Sequence, residues 1–286
     1  MRPLRLGLLG RGIAHSLSPD LHHAALAAVG LTGSYRLIDC LDDDAAQSAF
    51  AALAAGGWDG LNVTTPFKGL AALACDQPGA SFNTMWRDEG RLAGCSTDGV
   101  GLLAALASVG VHVRGRPVGL LGTGGAAVAV GEALVGQGAT VDFISGRSVK
   151  AAQAVAERLG AVALTFGQVP QRDVELIIHC SRLGHGAAAD ASLDAADAAT
   201  LAQIFGAQLR PGPLCVDIVY ARRGETLFEL GARRAGARLL PGVGLRMLIA
   251  QAAASFAHFT ARDPPLESMA LAVGVDWLAP TVSYQL

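Results

Sequence analysis

Residues 117–130 read PVGLLGTGGAAVAV, and this stretch decides the fold. An apolar run from Pro117 to Leu121 enters the turn Gly122-Thr123-Gly124-Gly125-Ala126-Ala127 and leaves it as a helix rich in Ala and Val. A strand, glycine loop and helix in this order let backbone N–H groups approach a pyrophosphate at the positive end of the helix. Gly122, Thr123, Gly124, Gly125 and Ala126 are therefore candidate cofactor-binding residues. Ala127 stands for the third glycine of the usual fingerprint and is small enough for the helix to pack near its strand. A tight turn with no ligand fits the same residues; the flanking strand and helix patterns favour the cofactor.

Outward from this loop, short apolar runs alternate with helical segments, the pattern of βαβ units around a mostly parallel sheet. Downstream strands are expected at Thr140 to Ile144, Leu176 to Cys180 and Leu214 to Val219. Upstream, Arg5 to Leu9, Tyr35 to Cys40 and Gly60 to Thr64 read as strands, and Asp20 to Val29 and Ala45 to Ala55 as helices. The expected fold is α/β with two domains. Residues 1–100 plus 243–286 form an N-terminal α/β substrate domain, and residues 101–242 form a Rossmann-type doubly wound dinucleotide-binding domain. The long apolar helix from Leu245 to Phe259, ended by Pro264-Pro265, returns to the first domain.

Composition narrows the partners. The chain of 286 residues is 51% hydrophobic and only 16% charged, against about 25% charged in an ordinary soluble domain. Much of it must be buried. Its net charge of -2 offers nothing to a phosphate backbone or an anionic membrane, so nucleic acid and membrane are excluded as expected partners. Mean hydropathy is +0.40, yet the apolar stretches break before about 18 continuous residues. The run Leu6 to Gly10, stopped by Arg11, is too short for a signal peptide, and a cytoplasmic protein is expected. The five cysteines, Cys40, Cys75, Cys95, Cys180 and Cys215, are scattered and form no CxxC pair, so neither a disulfide framework nor a metal site is expected.

The turn Ser145-Gly146-Arg147-Ser148 ends the next strand and bears on cofactor choice. An acidic residue there would bind a ribose hydroxyl, whereas Arg147, with Ser148 beside it and Lys150 close by, can hold a 2′-phosphate. NADP is favoured. A merely solvated Arg147 would leave NAD tolerated.

The polar chemistry lies in the first domain. In Leu61-Asn62-Val63-Thr64-Thr65-Pro66-Phe67-Lys68, alternation puts Asn62 and Thr64 on the face opposite Leu61 and Val63, and Lys68 emerges past Pro66. Asn83-Thr84 and Ser96-Thr97-Asp98-Gly99 lack core periodicity and read as site loops. Interconversion of an alcohol and a ketone needs a hydride acceptor and a proton-moving group, and a Lys beside an Asp serves as the latter. The same residues fit plainer roles, Asp98 as a helix N-cap and Lys68 as a solvated cation. Ser18-Pro19 reads as an N-cap and N1 pair with Ser16 on the same side, and that helix start also suits a substrate carboxylate. His15, His22 and His23 read as structural, since no spacing resembles a metal site.

Taken in order, His15-Ser16-Leu17-Ser18-Pro19, Asn62 to Lys68, Phe82-Asn83-Thr84, Ser96-Thr97-Asp98-Gly99, Gly122 to Ala127 and Met247-Leu248-Ile249-Ala250-Gln251-Ala252 resemble the shikimate dehydrogenase family over nearly the whole chain. The resemblance implies an oxidoreductase of chorismate and aromatic amino acid biosynthesis, interconverting shikimate and 3-dehydroshikimate with NADP(H), as a monomer or homodimer. It implies Lys68 and Asp98 as the catalytic pair, Ser16 and Ser18 on the substrate carboxylate, and Thr64, Asn83 and Gln251 on ring hydroxyls. Tyr220, in Asp217-Ile218-Val219-Tyr220, matches a tyrosine that helps close the substrate pocket.

The chain also departs from the pattern. The connection from Lys68 to Asn83 is shorter, and Ser96 replaces an asparagine. His179-Cys180-Ser181-Arg182-Leu183-Gly184-His185 stands where the family has an NATPxGM-like stretch, which places Arg182 and His185 near the cofactor. Arg246 stands where a glycine is common. A divergent member is expected, with quinate or aminoshikimate as alternative substrates. A cofactor-binding sensor without turnover is a further alternative, disfavoured because binding alone needs no Lys68–Asp98 pair.

Overall fold

A computed structural model describes residues 2–181, 183, 195–207, 212–221 and 224–279. Arg182, Gly184 and His185 lie outside them. The chain divides into two compact units, residues 1–101 with 248–280, and residues 102–247. Among the described residues, no helix is long and apolar enough to cross a membrane.

The first unit begins with β1 (Leu4–Gly10), α1 (Ser18–Ala28), β2 (Gly33–Asp39), α2 (Asp43–Ala54) and β3 (Gly60–Val63). It continues with α3 (Lys68–Ala74), β4 (Thr84–Asp88), β5 (Arg91–Cys95) and the start of α4 (Asp98–Ser108). Its sheet has the order β2-β1-β3-β4-β5, parallel across β2-β1-β3 and antiparallel across β3-β4-β5. The parallel strands explain the apolar runs of the sequence, because such strands are covered on both faces. On one side Leu9, Phe50, Leu53, Leu61, Val63, Phe67 and Met85 pack together; on the other Leu6, Leu8, Ile13, Tyr35 and Phe259 do. Each fully buried side chain of this size contributes about 1.5–3 kcal/mol.

The hairpin β4–β5 is absent from the expected strands and extends the sheet past β3. Thr84 therefore begins a strand rather than lying in a loop, and Asp98 and Gly99 begin a helix. Lys68 likewise is the first residue of α3, not a loop residue. Ser18 is the first residue of α1 rather than its cap; the N-cap is Leu17, with no side-chain cap.

The second unit holds β6 (Pro117–Leu121), α5 (Gly125–Gly136), β7 (Thr140–Gly146), α6 (Val149–Leu159) and β8 (Val162–Thr165). These are followed by β9 (Leu176–His179), α7 (Ala195–Ala207), β10 (Leu214–Asp217), α8 (Leu227–Arg234) and β11 (Arg238–Leu239). Its six-stranded sheet runs β11-β10-β9-β6-β7-β8, parallel throughout. This is the doubly wound order, with its switch point between β6 and β9, where the sheet offers a ligand crevice. Alternate residues feed two cores: Leu176 and Ile178 join one cluster with Val118 and Leu120, and Ile177 joins the other with Leu121 and Phe143. α9 (Val243–Thr260) carries the chain from the second unit back into the first, and α10 (Leu266–Ala272) closes the described chain.

Candidate active site

In the first unit the C-terminal ends of β1 and β3 lie side by side, with Leu9 paired to Val63 and the Thr64 N–H donating to the Leu9 carbonyl at 2.8 Å. Everything that follows these strands is brought to one edge of the sheet. Residues 11–17 lead from β1 into α1, and Thr64 to Phe67 lead from β3 into α3.

Lys68 and Asp98 meet at that edge. Lys68 Nζ donates to Asp98 Oδ2 at 2.6 Å, and the side chains are 16% and 3% exposed. The lysine keeps a path to solvent while the carboxylate has almost none. Asp98 lies in the first turn of α4, where a negative charge is favoured by the helix dipole. Its other oxygen, Oδ1, accepts from Asn83 Nδ2 at 2.9 Å.

Asn83 organises the rest. The same Nδ2 donates to Gln251 Oε1 at 3.1 Å, and Oδ1 accepts from the Thr97 N–H at 2.8 Å and from the Thr84 and Thr97 hydroxyls, each at 3.1 Å. Asn83 is 5% exposed. Both amide protons and the carbonyl are engaged within the protein, so its amide fixes other groups in place.

Behind Asn83 lies a second layer that sequence reasoning missed. Ser255, fully buried, lies 2.7 Å from the Thr84 hydroxyl and 3.3 Å from that of Thr97, and accepts from Asn62 Nδ2 at 2.8 Å. The Tyr35 hydroxyl donates to Asn62 Oδ1 at 2.9 Å. Asn62 was visible as an unexplained polar residue in a strand. Ser255 had one signal: it stands four residues after Gln251, on the same face of α9.

Ser16 and Ser18 are brought together. Ser16 Oγ donates to Ser18 Oγ at 3.1 Å and accepts from the Ser18 N–H at 3.2 Å, with both residues under 9% exposed, at the uncapped N-terminus of α1. Thr64 is half-buried beyond β3; a Cβ on Gly10 would come within 2.4 Å of its methyl.

In the second unit, Gly122 has φ of +135°, and a Cβ there would lie 2.7 Å from the Cys180 carbonyl group. Both facts require glycine. Gly124 caps α5 with no side-chain hydrogen bond, and a Cβ there would meet nothing within 4 Å, so open space faces the start of the helix. Thr123 packs on Gly146, since a Cβ at Gly146 would lie 2.7 Å from its methyl. The glycine loop and the turn carrying Arg147 and Ser148 are therefore neighbours. Ala127 is fully buried against the strand layer. These features fit a dinucleotide pyrophosphate at the N-terminus of α5.

Arg147 and Ser148 are not both free. Ser148 caps α6, accepting from the Ala151 N–H at 3.5 Å, and Arg147 is paired with Asp197 of α7. Tyr220 follows β10 in the second unit and is half-buried.

Residues 8–82 match the shikimate dehydrogenase substrate binding domain, and residues 244–273 the shikimate 5′-dehydrogenase C-terminal domain. The NADP(+)-dependent shikimate dehydrogenase of Exiguobacterium sp. is 34% identical over 267 residues, covering 91% of this chain and 94% of the relative. The chain belongs to the shikimate dehydrogenase family.

The shikimate 5-dehydrogenase of Thermus thermophilus, solved in complex with NADP(H) and shikimate, is 32% identical with a TM-score of 0.76, covering 94% of this chain and 98% of that one. The 5-ketofructose reductase of a Gluconobacter strain, at 23% identity and a TM-score of 0.76 over 96% of this chain and 98% of that one, shares the fold. Two residues that the sequence reading sets apart from the family pattern make visible contacts. Ser96, in place of asparagine, accepts the Asp98 N–H at 3.4 Å and so helps to start α4. Arg246, in place of glycine, is 9% exposed and donates to the Ser108 hydroxyl at 3.3 Å.

Proposed function

We propose that this protein interconverts shikimate and 3-dehydroshikimate by hydride transfer with NADP(H), Lys68 and Asp98 handling the proton. The observation that carries the reading is the Lys68–Asp98 contact at 2.6 Å, in which a nearly buried carboxylate holds an ammonium that still reaches solvent.

When bound, the nicotinamide supplies or accepts the hydride. The chain's own residues do the rest. In the direction of ketone reduction Lys68 Nζ gives a proton to the oxygen that gains negative charge; in alcohol oxidation the same nitrogen takes it back. Asp98 holds Lys68 at that oxygen, and Asn83 holds Asp98. With its amide fully engaged, Asn83 acts by placing Asp98 and Gln251, which leaves Gln251 and Thr64 to meet the ring hydroxyls. Ser16 and Ser18 at the start of α1 suit the substrate carboxylate, where the helix dipole adds to their hydroxyls. The family resemblance gives Tyr220, which follows β10, a part in closing the substrate pocket.

Gly122, Thr123, Gly124, Gly125 and Ala126 would hold the pyrophosphate, and Arg147 and Ser148 the 2′-phosphate. Arg147 must leave Asp197 to do so, which lowers its grip on NADP relative to an unpaired arginine and leaves room for NAD. A cytoplasmic location is supported by cysteines that form no disulfide, among them Cys40 and Cys215 in the core.

The test is reduction of NADP and of NAD by purified protein with shikimate, quinate and aminoshikimate offered separately. The proposal expects shikimate with NADP to give the highest kcat/KM. A higher value for quinate or aminoshikimate would reassign the substrate, and no turnover with any would leave a cofactor-binding protein.

A further inference from the structure

A second polar constellation, outside the Lys68–Asp98 site, lies at the C-terminal ends of β9 and β10. His179 and Asp217 end these strands and are register partners. His179 Nδ1 lies 2.9 Å from Asp217 Oδ1, and His179 Nε2 lies 2.6 Å from Ser181 Oγ. The imidazole is fully buried and stacked on Phe228, with centroids 4.3 Å apart and planes 6° apart.

The hydrogen bonds decide which way each proton points. Asp217 Oδ1 also accepts the Val219 N–H at 2.9 Å, and Oδ2 accepts the Thr226 hydroxyl at 2.6 Å. A carboxylate so placed only accepts, so His179 Nδ1 carries the proton and donates it to Asp217. Nε2 is then an acceptor, and the Ser181 hydroxyl must donate to it. The Leu183 N–H donates to Ser181 Oγ at 3.2 Å from another direction. Serine, imidazole and carboxylate stand in the order by which hydrolases activate a serine, a constellation recognised by geometry and roles rather than by chain order.

The surroundings suit a reacting group. Ser181 is half-buried, whereas His179 and Asp217 are inaccessible. It stands beside the glycine loop at the sheet's switch point: a Cβ on Gly122 would lie 2.9 Å from the Ser181 nitrogen.

We propose that Ser181 is a nucleophilic serine, with His179 as its general base and Asp217 orienting the imidazole, that accepts an acyl group from small activated esters. Ser181 Oγ bonds to the ester carbonyl carbon as its proton passes to His179 Nε2. The bond from that carbon to the leaving oxygen breaks, and His179 returns the proton to the departing alkoxide or phenoxide. Water then attacks the acyl carbon as its proton passes to His179 Nε2, the bond from that carbon to Ser181 Oγ breaks, and His179 returns the proton to Oγ as the carboxylic acid leaves. No electrons change hands, and neither Lys68 nor Asp98 takes part.

The test uses the full chain with 4-nitrophenyl acetate, following nitrophenolate release and locating the acetyl group by peptide mass mapping. Burial pushes the Cys75 and Cys95 thiols up to about 11 and Cys215 to about 12, so thiol acylation competes poorly near neutral pH. Acetyl on Ser181 is expected, with release slowed about 10²-fold or more in Ser181→Ala and in His179→Asn. An unmodified Ser181 in the wild-type protein, or undiminished release by Ser181→Ala, overturns the proposal. If His179→Asn fails to fold, as judged by thermal melting, the wild-type map and Ser181→Ala decide.

Discussion

Asn83 Nδ2 donates to Asp98 Oδ1 at 2.9 Å, so the carboxylate that holds Lys68 is itself held from the side away from the lysine. Displacement of a catalytic group by about 1 Å costs on the order of 10²-fold. Asn83→Ala should therefore lower kcat by about that factor while the KM for shikimate moves less than about threefold. Steady-state kinetics separates the two; a rise in KM at constant kcat would make Asn83 a substrate-binding residue instead.

Ser255 anchors the layer behind Asn83 through contacts with Asn62, Thr84 and Thr97. Ser255→Ala removes a fully buried hydroxyl and leaves these partners short of a bond, at a cost of about 1–3 kcal/mol. Urea unfolding should show a lower midpoint with an unchanged slope. An unchanged midpoint would mean the three partners satisfy one another without it.

How much of this was legible in the sequence depended on where the apolar residues fall. The parallel strands carry continuous apolar runs, so β1, β3, β6, β9 and β10 could be read directly. The β4–β5 hairpin could not, because Arg87 and Asp88 at its tip are exposed and alternate poorly. Its one local signal was Glu89-Gly90, both at positive φ, a two-residue turn between Asp88 and Arg91. Missing that hairpin is why Asn83-Thr84 and Ser96 to Gly99 looked like loops, when they flank or begin regular elements. Lys68 and Asp98 were found as residues, but their contact was not derivable from spacing, since β4 and β5 lie between them. Nothing near Arg147 in sequence announced Asp197, which comes from α7.

His22 is fully buried, stacked on Tyr35 with centroids 4.2 Å apart, and burial, aided by His23, lowers its pKa from 6.5 to about 3. The folded value lies below the unfolded one, so the unfolded chain binds the extra proton. Stability from this group is complete above pH 6.5 and is lost as pH falls toward 3, at up to about 1.4 kcal/mol per pH unit. His22→Phe, which keeps an aromatic ring, should flatten that decline. Unfolding titrations between about pH 4 and 7 give the comparison, and equal slopes for both proteins would assign the acid sensitivity elsewhere.

Arg147 and Asp197 form an ion pair that competes with the 2′-phosphate. Arg147→Ala should raise the KM for NADP about tenfold or more and leave that for NAD nearly unchanged. Asp197→Ala should do the opposite, lowering the NADP value several-fold by releasing the arginine. Kinetics with each cofactor checks both, and an Asp197→Ala protein with unaltered NADP affinity would show that the pair imposes no cost.

The central claim, that Lys68 and Asp98 move the proton, is tested most directly by kcat and NADP affinity measured side by side for Lys68→Ala and Asp98→Ala. Each substitution should cut kcat for shikimate oxidation by about 10²–10⁴-fold while the Kd for NADP stays within about threefold of wild type. Wild-type kcat in either variant would contradict the account.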